Sequence, residues 1–80
     1  MRYVYLIQSL SHPDERYVGI TDDLKRRLRD HNSGESRHTA KYRRWTPIVV
    51  VRFTDDVKAR AFERYLKSGS GRVFAKRHLW

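Results

Sequence analysis

No cysteine occurs anywhere in these 80 residues, and that absence constrains the fold more than any other single feature. A chain of this size buries only about 60% of the surface that its unfolded form exposes. Neither disulfides nor a thiolate zinc site can supplement such a core. Stability must come from one set of packed strands and helices, and an active site must be built on those same elements. Residues 1–80 are therefore expected to form a single domain. With no signal-like apolar N-terminus and no run of about 18 apolar residues, a soluble protein of a reducing cytoplasm, away from membranes, is the expectation.

The order of elements is readable. RYVYLIQSL (2–10) is rich in aromatic and β-branched residues, SHPDE turns the chain at Pro13 and Asp14, and RYVGI (16–20) resumes a strand, which together predict a β-hairpin. Thr21 or Asp22 is the expected cap of a helix whose Leu24 and Leu28 form an i, i+4 apolar seam, ending near Ser33 and Gly34. Residues 37–46 read as a polar loop, and PIVVVRF (47–53) as a third strand. Thr54 or Asp55 caps a second helix with an apolar stripe of Val57, Ala61, Phe62, Tyr65 and Leu66. SGSG (68–71) breaks it, and RVFAKRHLW (72–80) is expected to close the structure with Val73, Phe74 and Trp80. The sum is an α+β domain of order β-β-α-β-α-α, a three-stranded antiparallel sheet flanked by helices.

Charge points to the partner. Eighteen Lys and Arg against nine Asp and Glu leave a formal net charge of +9, and counterion release rewards such a surface for binding a polyanion. The cations cluster at 25–29, 37–44 and 72–78. In RHTAKYRRW, Tyr42 and Trp45 interleave with them, a pattern suited to phosphate contacts combined with stacking. Lys25, Arg26, Arg37, Lys41, Tyr42, Arg43, Arg44 and Arg72 are the candidate nucleic-acid contacts. Composition alone does not separate an enzyme from a binding module.

The stretch RYVGITDDLKRRLRDHN (16–32) carries the sharper signal. Alternation along the strand puts Tyr17 and Gly19 on one face and Val18 and Ile20 on the other. Tyr3 and Tyr5 share a face of the preceding strand, and the hairpin length is compatible with Tyr5 opposite Tyr17. Four residues separate Arg27 from His31, which stacks both cations at the edge of the leucine seam, looking toward the Tyr17 strand. Singly, each residue has a plain reading: Tyr17 as a half-buried strand aromatic, His31 as a surface partner of the helix dipole, Arg27 as a solvated charge, and Glu63 as the i, i+4 salt-bridge partner of Lys67. Gly19 reads as a bulge or a close backbone approach.

Together, Tyr5, Tyr17, Gly19, Arg27, His31 and Glu63 resemble the GIY-YIG nuclease family. Its two name-giving motifs appear as YVY (3–5) and YVG (17–19), with the arginine, the histidine and the downstream glutamate following in order. The resemblance implies a DNA endonuclease that hydrolyses phosphodiester bonds with one Mg²⁺ or Mn²⁺, possible links to structure-selective cutting and DNA repair, and a protein partner as one source of targeting. It implies that Glu63 holds the metal, Tyr17 activates the attacking water and Arg27 stabilises the transferring phosphate, with Tyr5 and His31 assisting by hydrogen bonds. An unperturbed tyrosine, with a pKa of about 10, supplies little phenolate at neutral pH, and a nearby metal and arginine favour the ionised form. Tyr3 replaces the first motif's glycine, and Ile20 stands where the excision-repair branch has a lysine. The alternative is a non-catalytic module that grips nucleic acid with the same basic, aromatic face.

Overall fold

Side-chain alternation sorts the strands between two helical layers. β1 (Arg2–Ser9), β2 (Arg16–Thr21) and β3 (Trp45–Phe53) form an antiparallel sheet in the order β2-β1-β3, in a computed structural model that describes residues 1–80. Val4 and Leu6 of β1 face one way, joining Ala59, Leu66 and Ala75 from the helices α3 (Asp56–Lys67) and α4 (Gly69–His78) in the larger core. Val18 and Ile20 pack on the same side, as their alternation requires. Tyr5 and Ile7 face the other way and meet Trp45, with Tyr17, Leu24, Leu28 and Tyr42 around them. That second layer is covered by α1 (Leu24–Ser33) and α2 (Arg37–Ala40). No helix is long and apolar enough to cross a membrane.

The expected order β-β-α-β-α-α holds, with α2 as an addition where a polar loop was expected. Its turn forms because Thr39 is drawn into the core, where its backbone N–H and its hydroxyl both donate to the Ser36 carbonyl. β3 begins at Trp45, two residues earlier than expected. Asn32 brackets that residue, accepting from its N–H at 2.6 Å and donating to its carbonyl at 3.2 Å. Between Leu6 and Ile7 the β1–β3 register shifts, from Leu6 opposite Val49 to Ile7 opposite Pro47, so Ile48 forms a bulge.

Helix ends follow local chemistry. Asp23, not Thr21 or Asp22, caps α1 by accepting from the Arg26 N–H, while Thr21 accepts from the Asp23 N–H and holds the cap in place. Gly34 ends α1 at a φ of 88° that a side chain would resist. Asp55 caps α3 as expected. The inward stripe of α3 is Ala59, Phe62 and Leu66, with Val57 and Tyr65 exposed, since the three inward positions follow the helical spacing toward the sheet. SGSG does not separate the last two helices as broadly as expected: Ser68 alone breaks the path, and α4 starts at Gly69. Gly71 lies so close to the Tyr65 carbonyl that no Cβ fits, which lets the first turn of α4 sit against the end of α3. Ala75 then faces inward, and Val73 points to solvent.

Candidate active site

Tyr5 is the hub. It lies opposite Gly19 in the register, not opposite Tyr17, which pairs with Ile7. Its ring fills the space that a side chain at residue 19 would need, and the diagonal neighbour Tyr17 sits with ring centroids 6.4 Å apart. Gly19 therefore serves a close approach, that of the Tyr5 ring, and not a bulge. Gly19→Ala is expected to lower stability by about 1–3 kcal/mol through overpacking, because Tyr5 is itself buried and has no open side to move to. A thermal melt reads this as a fall of roughly 4–8 °C per kcal/mol for a domain of this size.

His31 differs most from its sequence reading. It is fully buried, with Nε2 at 2.8 Å from the Tyr5 hydroxyl and Nδ1 at 2.6 Å from Thr39 Oγ1. Burial, reinforced by the nearby Arg27 charge, pushes its pKa down to about 4, so it is a neutral core imidazole and not a cation at the surface. Because the Thr39 hydroxyl donates to the Ser36 carbonyl, its oxygen is left to accept from Nδ1–H, and Nε2 accepts from Tyr5. Both ring nitrogens are thereby engaged, and His31 orients Tyr5 instead of reaching solvent.

Burial pushes the Tyr5 hydroxyl up to about 12, against the pull of the Arg27 guanidinium beside it. Although its own partial burial opposes charge, Arg27 is held above its ordinary range by the hydroxyls of Tyr5 and Tyr17, so one cation from α1 addresses both phenols. Asp30, 3.9 Å away, steadies it from the same helix. Tyr17 is half-buried on β2, with its ring 5.1 Å from that of His31 in an edge-on arrangement.

From the other side of the sheet edge, α3 contributes Glu63, whose side chain is 14% exposed and whose carboxylate pairs with Lys67 one turn on. Lys67 Nζ also lies 5.7 Å from the centre of the Tyr17 ring. From sequence alone Lys67 reads only as the salt-bridge partner of Glu63. The i, i+4 spacing from Glu63 was the available signal that both share one helix face. Lys67 brings an amine to Tyr17 from α3, where Ile20 offers none from β2. Thr39 and Asn32, which fix His31 and Trp45, were also missed.

The basic candidates divide. Lys25, Arg26, Arg37, Lys41, Arg43, Arg44 and Arg72 are all exposed. Tyr42 is half-buried in the smaller core, with its ring 5.0 Å from that of His12. Trp45 is removed from any stacking role: it is 5% exposed, and its indole N–H donates to the Thr39 carbonyl at 2.8 Å. It closes the core because β3 starts there.

No group of three or more His, Cys, Asp and Glu side chains comes together in a way that could cage a metal. One partly exposed carboxylate on α3 nevertheless fits a hard divalent ion of the Mg²⁺ type, which keeps most of its waters and needs only one or two protein oxygens. Glu63 is the side chain that would hold it, with Lys67 as the counterion it would displace.

The sequence profile of the GIY-YIG catalytic domain matches residues 1–77. Structure-specific endonuclease subunit SLX1 of Candida dubliniensis is 36% identical over 83 residues, covering 95% of this chain and 28% of that protein. A UPF0213 protein of Haloquadratum walsbyi is 42% identical over 52 residues, 64% of this chain and 53% of its own length. Another, from Halobacterium salinarum, is 36% identical over 66 residues, covering 80% of this chain and 79% of that protein. The chain thus spans little more than a quarter of the Candida protein.

Proposed function

We propose, since this chain belongs to the GIY-YIG family of catalytic domains, that it is a divalent-metal-dependent DNA endonuclease that hydrolyses phosphodiester bonds at a one-metal site. The observation that carries this reading is the convergence of Tyr17 from β2, Arg27 from α1 and Glu63 with Lys67 from α3 around the buried Tyr5–His31 pair. Glu63 would hold Mg²⁺ or Mn²⁺, which when bound would supply Lewis-acid help to the phosphate. The Tyr17 oxygen would take the proton of the attacking water as the new P–O bond forms, and the departing sugar oxygen would take a proton from solvent as its own bond to phosphorus breaks. Arg27, planar and always charged, takes the negative charge that grows on the phosphate oxygens. Tyr5 and His31 hold that arginine and Tyr17 in register, as positioning residues.

The surrounding charge supports nucleic acid as the substrate, with Lys25, Arg26, Arg37, Lys41, Arg43, Arg44 and Arg72 as phosphate contacts. The Candida relative is a structure-specific endonuclease subunit, which supports structure-selective cutting and targeting by a partner protein. A role in DNA repair or processing follows as part of the same proposal.

Incubation of the protein with labelled duplex, nicked, flapped and branched DNA, with Mg²⁺, with Mn²⁺ and with EDTA, tests this directly. Cleavage is expected with either ion and none with EDTA. Salt-sensitive binding to every substrate without cleavage of any, with both ions tried, would replace the nuclease by the non-catalytic binding module.

A further inference from the structure

A groove of about 460 Å³ runs between β2 and the α3–α4 pair, beginning at Tyr17 and Lys67 and so continuous with the site above. Its floor is apolar, made by Val18, Leu66 and Ala75, and Trp80 forms a wall. The guanidinium carbon of Arg16 lies 5.0 Å from the centroid of the Trp80 ring. Arg72 and Lys76, both exposed, line the groove from α4, and no acidic residue borders it. An apolar floor, a cation–aromatic wall and a one-signed basic rim are the elements that hold a base by stacking and its backbone by charge.

We propose that this groove holds an unpaired strand of nucleic acid, with a base against the Arg16–Trp80 pair and its phosphates on Arg72 and Lys76. The volume suits a nucleotide or two and is far too small for a duplex about 20 Å across. In a duplex, moreover, bases are stacked on one another and their faces are closed to an indole. The proposal rests on the nuclease reading for its consequence, which is that the strand passing Tyr17 is single on one side of the scissile phosphate. Binding at the Arg16–Trp80 end of the groove is read without any cleavage, so it can be tested separately from that reading.

The test is binding of a four-nucleotide oligothymidylate and of a blunt duplex, both in EDTA so that nothing is cut. Trp45 is buried, so a fall in tryptophan emission on oligonucleotide binding reports Trp80. The quench should vanish in Trp80→Leu. Affinity for the single strand should drop about tenfold in both Trp80→Leu and Lys76→Glu, and duplex affinity should change by about twofold or less. Lys58→Glu, an equal charge reversal at an exposed position outside the groove, controls for net charge. Single-strand affinity unchanged in both groove variants overturns the proposal, as does an equal loss from Lys58→Glu. Lys76→Glu keeps the test open if Trp80→Leu melts, because Lys76 is exposed. If the predicted binding shifts appear but no DNA is ever cleaved, the groove stands and the nuclease reading fails.

Discussion

Glu63→Gln is expected to reduce metal-dependent cleavage by on the order of 10³-fold or more, since it replaces the one carboxylate proposed to hold the ion by a neutral amide of nearly the same shape, whose single oxygen carries no charge to bind a hard cation. Folding should barely register the change. The pair that Glu63 makes with Lys67 is a one-turn contact whose lysine is half-exposed, and such pairs contribute only about 0.3–0.5 kcal/mol. DNA binding should be retained or slightly strengthened, because the substitution removes a negative charge from a surface that favours phosphate. Cleavage assays, thermal melts and binding titrations on the same preparation separate these effects. A Gln variant that cuts at the wild-type rate would exclude Glu63 as the metal ligand. Tyr17→Phe and Arg27→Lys should each lose cleavage while still binding, the first by removing a hydroxyl and the second by removing a planar fork.

Acid should destabilise the fold through His31. Its pKa is about 4 in the native state and about 6.5 in an unfolded chain, so between those values the unfolded state binds a proton that the native state does not. Stability from this group is fully present above about pH 6.5 and is lost as pH falls toward 4, by roughly 3 kcal/mol in all. For a small domain whose total is about 5–15 kcal/mol, that is a large share. Urea unfolding from pH 7.5 to 4 reads the slope, and NMR titration of the imidazole reads its pKa directly. The other three histidines, His12, His38 and His78, are exposed and provide internal comparison. His31→Asn should flatten the slope, and an unchanged slope would mean that carboxylates alone account for the acid loss.

The sheet, its helices and the order of elements were legible because periodicity and capping act locally. Val18 and Ile20 alternate, Leu24 and Leu28 recur after a helical turn, and Asp55 precedes an amphipathic run; each is visible within a few residues. What sequence could not resolve depends on contacts made at long range. Tyr5 lies opposite Gly19 because its ring needs the space that glycine leaves, a requirement of three dimensions. His31 is a core residue because Tyr5, 26 positions away, and Thr39, eight positions away, satisfy its two nitrogens. Without those partners, a histidine in a basic helix reads as a surface cation. Trp45 likewise looked like a stacking aromatic among arginines until Thr39 and Asn32 were seen to hold it. Of the candidate site, the residue types were legible, whereas the approach of Lys67 to Tyr17 required the packing of α3 on β2.

The Asn32 bracket has a consequence for crowded solutions. β3 is an outer strand of the sheet and carries half-exposed Ile48 and Val50, the kind of border on which another chain can zip up and start an aggregate. At its first residue both main-chain groups are already occupied by a side-chain amide. Two residues on, Pro47 has no N–H to offer, and the bulge at Ile48 bends what remains. The border is therefore interrupted over the stretch where its apolar side chains begin, which shortens the straight run a self-associating neighbour could match to residues 49–53.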